Sequence, residues 1–289
     1  MKSLKRQKHL LFLLPSLTGV GIFVLIPFAD VIRRSFFVGS SGRFCGLENY
    51  REVFHNEAFR LAVKNTVNFT AVCLPLLVCL GLLFALILSR LEKIRFLKSM
   101  FLFPMAIPVA AVVLLWKMIF YKSGFLNLLL SQMDFALRAG FAHDAMAAPD
   151  YMNSGGVFWV LVFSYIWRNL GYTIVLWLAG IWAVPGDILE AARVDGAGDV
   201  ACFTRILLPN LRGTLYTITV LSFLNSFKVF REAYLVAGAY PHKKIYLLQH
   251  LFNNWFLDME LQKMAAAAVC VGAVLLLVIL LLERLWEDF

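Results

Sequence analysis

Tyr165, Arg168, Asn169 and Tyr172 stand at i, i+3, i+4 and i+7, the spacing that puts four side chains on one face of a helix. Tyr151 to Gly186 holds no charged residue except Arg168. That face therefore falls inside an apolar segment, where polar groups are costly and turn toward a bundle interior or a water-filled path. Two phenols, an amide and a guanidinium offer hydrogen bonds and ring faces, a set suited to a solute rich in hydroxyls. Ser222, Asn225 and Ser226 form a second polar stripe, followed by Lys228, Arg231 and Glu232, while Asn65 and Asn68 share a third face. Each of these residues also has a plainer reading, as a hydrogen-bond tie between membrane helices.

Catalytic and metal chemistry find no comparable pattern. His9, His55, His143, His242 and His250 never fall in an H-E-x-x-H spacing. Cys45, Cys73, Cys79, Cys202 and Cys270 are odd in number and form no C-x-x-C pair. Three of them sit in long apolar runs, where a thiol behaves as a small hydrophobe. No G-x-x-x-x-G-K-[ST] loop is present to cradle a nucleotide phosphate. The expectation is a chain with no catalytic residue, no metal and no bound cofactor.

The elements that carry the polar faces follow from composition. Of 289 residues, 61% are hydrophobic and 16% charged, with a mean hydropathy of +0.77. Soluble domains run near ~45–50% apolar and ~25% charged, so this chain has too little polar surface to cover a water-soluble globule. About 20 apolar residues cross a bilayer as a helix. Leu10 to Ala29, Asn65 to Ser89, Ser99 to Trp116 and Met264 to Leu282 qualify, as does 157–183; Gly213 to Tyr240 makes a less regular further span. The expected fold class is all-α, a polytopic membrane protein with six transmembrane helices. Residues 1–60 would hold the N-terminal tail, first helix and external loop, and 61–289 a five-helix core. Trp182, Trp255 and Trp286 are expected at the membrane interface.

Lys2, Lys5, Arg6 and Lys8 resemble a signal-peptide n-region. However, the apolar run that follows is too long for one, contains Pro15 and Pro27, and ends at Asp30 to Arg34 without an A-x-A-like site. It reads as a retained helix. Those four cations, with Arg90, Lys93, Arg95 and Lys98 in the short link after the second span, put both segments on the cytoplasmic side. Both termini and the segment 184–212 are then cytoplasmic as well. The net charge of +9 is read as this topology signal and not as a nucleic-acid surface.

The segment 184–212 is neither apolar enough to span nor biased enough to be disordered. Asp187 with Glu190 three residues on reads as an N-cap and its capping-box partner. Gly196 and Gly198 allow a sharp turn, and a second short helix is expected from Asp199 as N-cap, stopping before Pro209. Phe203, Ile206 and Leu207 would anchor this helix-turn-helix, and Ala191 and Ala192 would let a partner approach closely.

The run from Glu190 to Asn210, EAARVDGAGDVACFTRILLPN, resembles the EAA loop of inner-membrane permease subunits of bacterial ABC importers. That pattern is E-A-A, three residues, Gly, nine residues, Ile, one residue, Leu-Pro, and Glu190, Ala191, Ala192, Gly196, Ile206, Leu208 and Pro209 match it. Asp195-Gly196-Ala197 matches the D-G-A of carbohydrate-type members. Leu10 to Phe37, Gly46 to Tyr50 and Trp116 to Asn127 are similar to the corresponding parts of sugar permeases.

The resemblance implies a coupling loop, 187–210, that docks into an ATP-binding subunit through Glu190, Ala191, Ala192, Asp195, Gly196, Phe203, Ile206, Leu208 and Pro209. It implies two copies of that ATPase, which would use ATP and Mg, an extracytoplasmic solute-binding protein, and a permease partner that is either a copy of this chain or, as the carbohydrate likeness favours, a different second chain. The cargo would be a sugar or sugar-like solute. The Trp167 to Asn169 run and the Lys228 to Glu232 region are more charged than the family pattern, which leaves room for an anionic or modified sugar. The segment 125–154 is expected outside, with an amphipathic helix from Phe125 to Arg138 that either meets the binding protein or lies along the membrane. The competing reading is a secondary transporter or channel that works without ATP.

Overall fold

A computed structural model describes residues 13–39, 42–91, 94–138 and 150–287. The cations Lys2, Lys5, Arg6, Lys8 and Lys93, on which part of the orientation argument rests, lie outside the described residues, as do His9 and His143. Among the described residues the chain is helical apart from turns and one isolated antiparallel bridge between Phe37 and Phe44. The helices are α1 (Leu13–Arg34), α2 (Glu48–His55), α3 (Glu57–Ser89), α4 (Ile94–Ala106), α5 (Val109–Phe120), α6 (Phe125–Arg138), α7 (Val157–Ala183) and α8 (Gly186–Val194). They continue with α9 (199–210), α10 (Arg212–Ser226), α11 (Phe230–Ala237), α12 (Leu248–Leu257) and α13 (Leu261–Glu287).

Four stretches are long and apolar enough to cross a bilayer: Leu13–Arg34, Glu57–Ser89, Val109–Gln132 and Leu261–Arg284. A fifth is counted when α7 is taken with α8, to which it is bent by 64°. Two expected spans are broken. Ser99 to Trp116 is interrupted at Pro108, whose ψ of 137° is extended; a proline there has no N–H to donate and holds the preceding residue out of the helical region. Gly213 to Tyr240 is interrupted by a 3-10 turn at Phe227–Val229 and ends at Gly238, with φ of 76°.

Packing divides the chain into two units, one of residues up to Arg60 with Leu251–Val278 and the other of Leu61–His250 with the C-terminal end. In the first, Lys263 reaches Glu52 at 2.9 Å and Glu260 at 2.8 Å and lies 5.5 Å from the ring of Trp255. Trp255 is buried there and is not the exposed interfacial anchor the sequence implies. The indole is claimed by a cation instead. Asn49 donates to the carbonyls of Ser35 and Phe37, and the Ser35 hydroxyl meets that of Tyr50, which fixes the turn after α1.

In the second unit α7 is the organising helix. Its first half packs Val157, Leu161 and Tyr165 on Phe69, Cys73 and Leu77 of α3 and on Val229 and Ala233. Its other half packs Ile174, Trp177 and Leu178 on Ala85 and Leu88 of α3, on Leu207, and on Leu211 and Ile218. Small residues permit this closeness. A Cβ on Gly171 would lie 1.9 Å from the carbonyl oxygen of Phe101 in α4, and one on Gly81 would lie 2.4 Å from Thr173, the close backbone approach that small residues allow between membrane helices. The Trp116 indole donates to Ser164 Oγ at 2.9 Å and the Trp177 indole to the Val78 carbonyl at 3.2 Å.

Candidate functional site

The polar face of α7 meets the broken helix α10/α11 at a cavity of about 340 Å³. α7 contributes Tyr165, Arg168 and Asn169; α10 contributes Asn225; the 3-10 turn and α11 contribute Lys228, Val229, Arg231 and Glu232. Met105 and Val109, either side of the break at Pro108, close an apolar edge. Three cations and one carboxylate thus share one space at the level of an apolar span. Arg168 Nη1 donates to Glu232 Oε1 at 2.7 Å. Asn225 Nδ2 lies 3.5 Å from the Tyr172 hydroxyl, and Asn169 Nδ2 donates back to the Tyr165 carbonyl at 2.7 Å.

Tyr172, Ser222, Ser226, Asn65 and Asn68 do not line this cavity. Tyr165 donates its hydroxyl to the Ser222 carbonyl at 2.8 Å, and the Tyr172 and Ser222 hydroxyls are 2.8 Å apart. Ser222 is therefore a fully buried junction between α7 and α10. Ser226 is buried against Thr70 at 3.0 Å. Asn65 donates to the carbonyls of Lys243 at 2.6 Å and Tyr246 at 3.0 Å, holding the turn before α12. Asn68 is exposed on α3. Nothing in the residue types of Met105 and Val109 marks them as cavity residues; Pro108, where the helix breaks, is the sequence signal at that edge.

The segment after α7 forms two short helices joined at Gly196, whose φ is 87°. The Gly196 N–H donates to the Arg193 carbonyl at 3.0 Å and the Ala197 N–H to the Ala192 carbonyl at 2.9 Å, a helix end that needs the left-handed region. Three expected details are corrected. Pro185 caps α8, and Asp187 stands in the first turn with no side-chain capping bond. Gly198 caps α9 and Asp199 is its first residue, paired with Arg193 at 3.5 Å. Nor does the helix stop before Pro209. Cys202–Leu207 is a wider π turn in which the Leu208 N–H reaches the Phe203 carbonyl, and that width accommodates a residue lacking an N–H; helical turns continue to Asn210.

This pair of helices is tethered on one side and bare on the other. Leu207 is buried and Phe203 packs against the cluster of Trp177, Leu178 and Ile218. Glu190, Ala191, Asp195, Gly196 and Leu208 are exposed, Ala192, Ile206 and Pro209 half-buried. Beside them Val194 is 87% and Val200 77% exposed, an apolar surface at a place where the chain is otherwise polar.

The family described as "Binding-protein-dependent transport system inner membrane component" matches residues 77–287. The chain belongs to this family. Among its relatives, the "Probable ABC transporter permease protein YurN" of Bacillus subtilis is 28% identical, covering 94% of this chain and 93% of that one. The trehalose/maltose transport system permease protein MalF of Thermococcus litoralis is 30% identical, covering 80% of this chain and 77% of that one. A solved chain of a bacterial ABC transporter for the acidic polysaccharide alginate shares the fold, with a TM-score of 0.83 at 20% identity, covering 100% of this chain and 98% of that one. The permease is thus a multi-pass protein of the inner membrane and works with a binding protein. Its family is one of transport components, not of catalysts.

Proposed function

We propose that the permease forms half of the membrane path of an ATP-driven importer for a sugar or sugar-like solute. The observation that carries this reading is the polar cavity of about 340 Å³ set in an otherwise apolar bundle, a volume in the usual range for small-molecule sites of ~300–1,000 Å³. Amides and aromatic rings at its edge suit hydroxyls and apolar ring faces, and the likeness to a trehalose/maltose permease points to the same cargo class.

In this reading six segments cross the bilayer, α4/α5 and α10/α11 each as one broken span, with both termini in the cytoplasm. The exposed face of α8 and α9, from Glu190 to Pro209, docks on an ATP-binding subunit that holds ATP and Mg. A second permease chain completes the path. Phe203 and Leu207 tie the docking face to α7 and α10, so that a movement of the motor reaches the helices lining the cavity.

The test is to purify the permease from its native membrane in mild detergent, identify its companions, and reconstitute the assembly with its binding protein. Sugar uptake that requires ATP, and loss of binding-protein-stimulated ATP hydrolysis in Glu190→Ala, are the expected results. Uptake by the isolated chain without ATP would overturn the reading in favour of a channel or secondary transporter.

A further inference from the structure

The charges around the cavity do not cancel. Arg168 is engaged by Glu232 at 2.7 Å, the cavity's one carboxylate, leaving Lys228 and Arg231 on the same wall. Neither has a carboxylate within ion-pair distance among the described residues, and both are exposed. They stand three positions apart, across the junction of the 3-10 turn and α11, so their side chains emerge close together. While water fills the cavity, two unpaired cations are tolerable. Once the path closes around a solute and water leaves, an unpaired cation becomes costly, and a neutral cargo offers nothing to offset it.

We propose that Lys228 and Arg231 form a recognition site for the anionic group of an acidic sugar, its carboxylate or phosphate oxygens taking the place of the missing counter-charge. The guanidinium of Arg231 supplies a planar fork for two such oxygens and Lys228 a mobile point charge. Asn169 of α7 and Asn225 of α10, which line the same cavity, are left for hydroxyls of the ring. Glu232 lines the same cavity, and its ion pair with Arg168 at 2.7 Å offsets its charge there. This inference rests on the cavity being the solute path.

The experiment uses the whole reconstituted assembly with its binding protein. Uptake is measured for glucuronate, galacturonate and mannuronate trisaccharides against their methyl esters, which keep the shape and remove the charge. Glucose 6-phosphate against glucose tests the phosphate source. We expect at least one acidic member to enter tenfold or more faster than its neutral counterpart. Lys228→Gln with Arg231→Gln should cut that uptake at least tenfold, and Lys228→Arg should retain most of it. Preferential uptake of the neutral member of every pair by the unaltered protein defeats this inference and leaves the sugar reading standing. A double variant that loses acidic and neutral uptake alike also defeats it. Uptake of no sugar at all defeats both.

Discussion

The guanidinium of Arg168 meets the carboxylate of Glu232 at 2.7 Å, joining α7 to α11 across 64 positions of sequence. Their side chains are only 18% and 12% exposed, so each is the other's main compensation for leaving water. Removing one partner of a buried pair typically costs about 3–5 kcal/mol, whereas replacing both with apolar residues of similar volume is often neutral. Partial exposure here places the expected loss for Arg168→Ala or Glu232→Ala at the lower end of that range. Arg168→Met combined with Glu232→Leu should recover most of it. A double-mutant cycle followed by thermal unfolding in detergent reads the coupling; strictly additive losses would show that the pair contributes none.

Gly171 sets how closely α4 can approach α7. An added Cβ would lie 1.9 Å from the carbonyl oxygen and 2.5 Å from the carbonyl carbon of Phe101. Backbone cannot yield as a flexible side chain can, so the two helices must separate. Gly171→Ala should destabilise by at least the ~1–3 kcal/mol typical of overpacking. At Gly272 in α13 nothing lies within 4 Å of the same position, and there alanine should be neutral or stabilise by about 0.5–1 kcal/mol. Unfolding temperatures of the two variants should move in opposite directions or, at the least, differ clearly; equal shifts would refute the packing argument.

These contacts mark where reading the sequence stops. Long apolar runs were legible because crossing a bilayer demands them, and the grouping of Tyr165, Arg168 and Asn169 was legible because helical periodicity alone puts them on one face. Arg168's partner was not, since nothing local connects it to a carboxylate 64 residues away. Asn65 looks like a path residue until its carbonyl partners at Lys243 and Tyr246 are seen. The caps at 185 and 198 escaped because side-chain capping rules favour Asp187 and Asp199, while proline geometry and the extended Gly198 (ψ 166°) set the boundaries one or two residues earlier. The break at Pro108 lies inside an unbroken hydrophobic run, whereas the one at Phe227–Val229 falls where Lys228, Arg231 and Glu232 already make the span less regular.

Gly196 offers a way to separate local strain from coupling. Its φ is 87°, and nothing lies within 4 Å of an added Cβ, so substitution acts through the torsion and not through a clash. An L-residue forced into this region pays roughly 1–2 kcal/mol. Gly196→Val should therefore lower the unfolding temperature modestly, while a displaced α9 should largely abolish binding-protein-stimulated ATP hydrolysis. Gly196→Asn, which tolerates left-handed backbone better, should keep more of that activity than valine does. If valine and asparagine behave alike, the turn's geometry is not what transmits the motion.

His250 predicts how stability should depend on pH. The ring is fully buried, with Phe230, Tyr234 and Tyr246 at centroid distances of 5.0, 6.5 and 5.9 Å. Nδ1 accepts from the Leu247 N–H at 3.3 Å, and Nε2 has no hydrogen-bond partner among the described residues. This environment favours the neutral ring, and burial pushes its pKa down from 6.5 to about 4. The unfolded chain takes up a proton near 6.5 while the folded one does not, so between those values the unfolded state binds more protons. Stability from this group is complete above about 6.5 and falls as pH drops toward about 4, by about 1.4 kcal/mol per pH unit and roughly 3 kcal/mol in all. Below that window both states are protonated and the loss levels off. His250→Leu removes the titrating group at similar volume and should flatten the profile between pH 6.5 and pH 4. Unfolding midpoints collected across that range for both proteins decide the matter, and parallel curves would mean that the ring is already solvated or protonated in the fold.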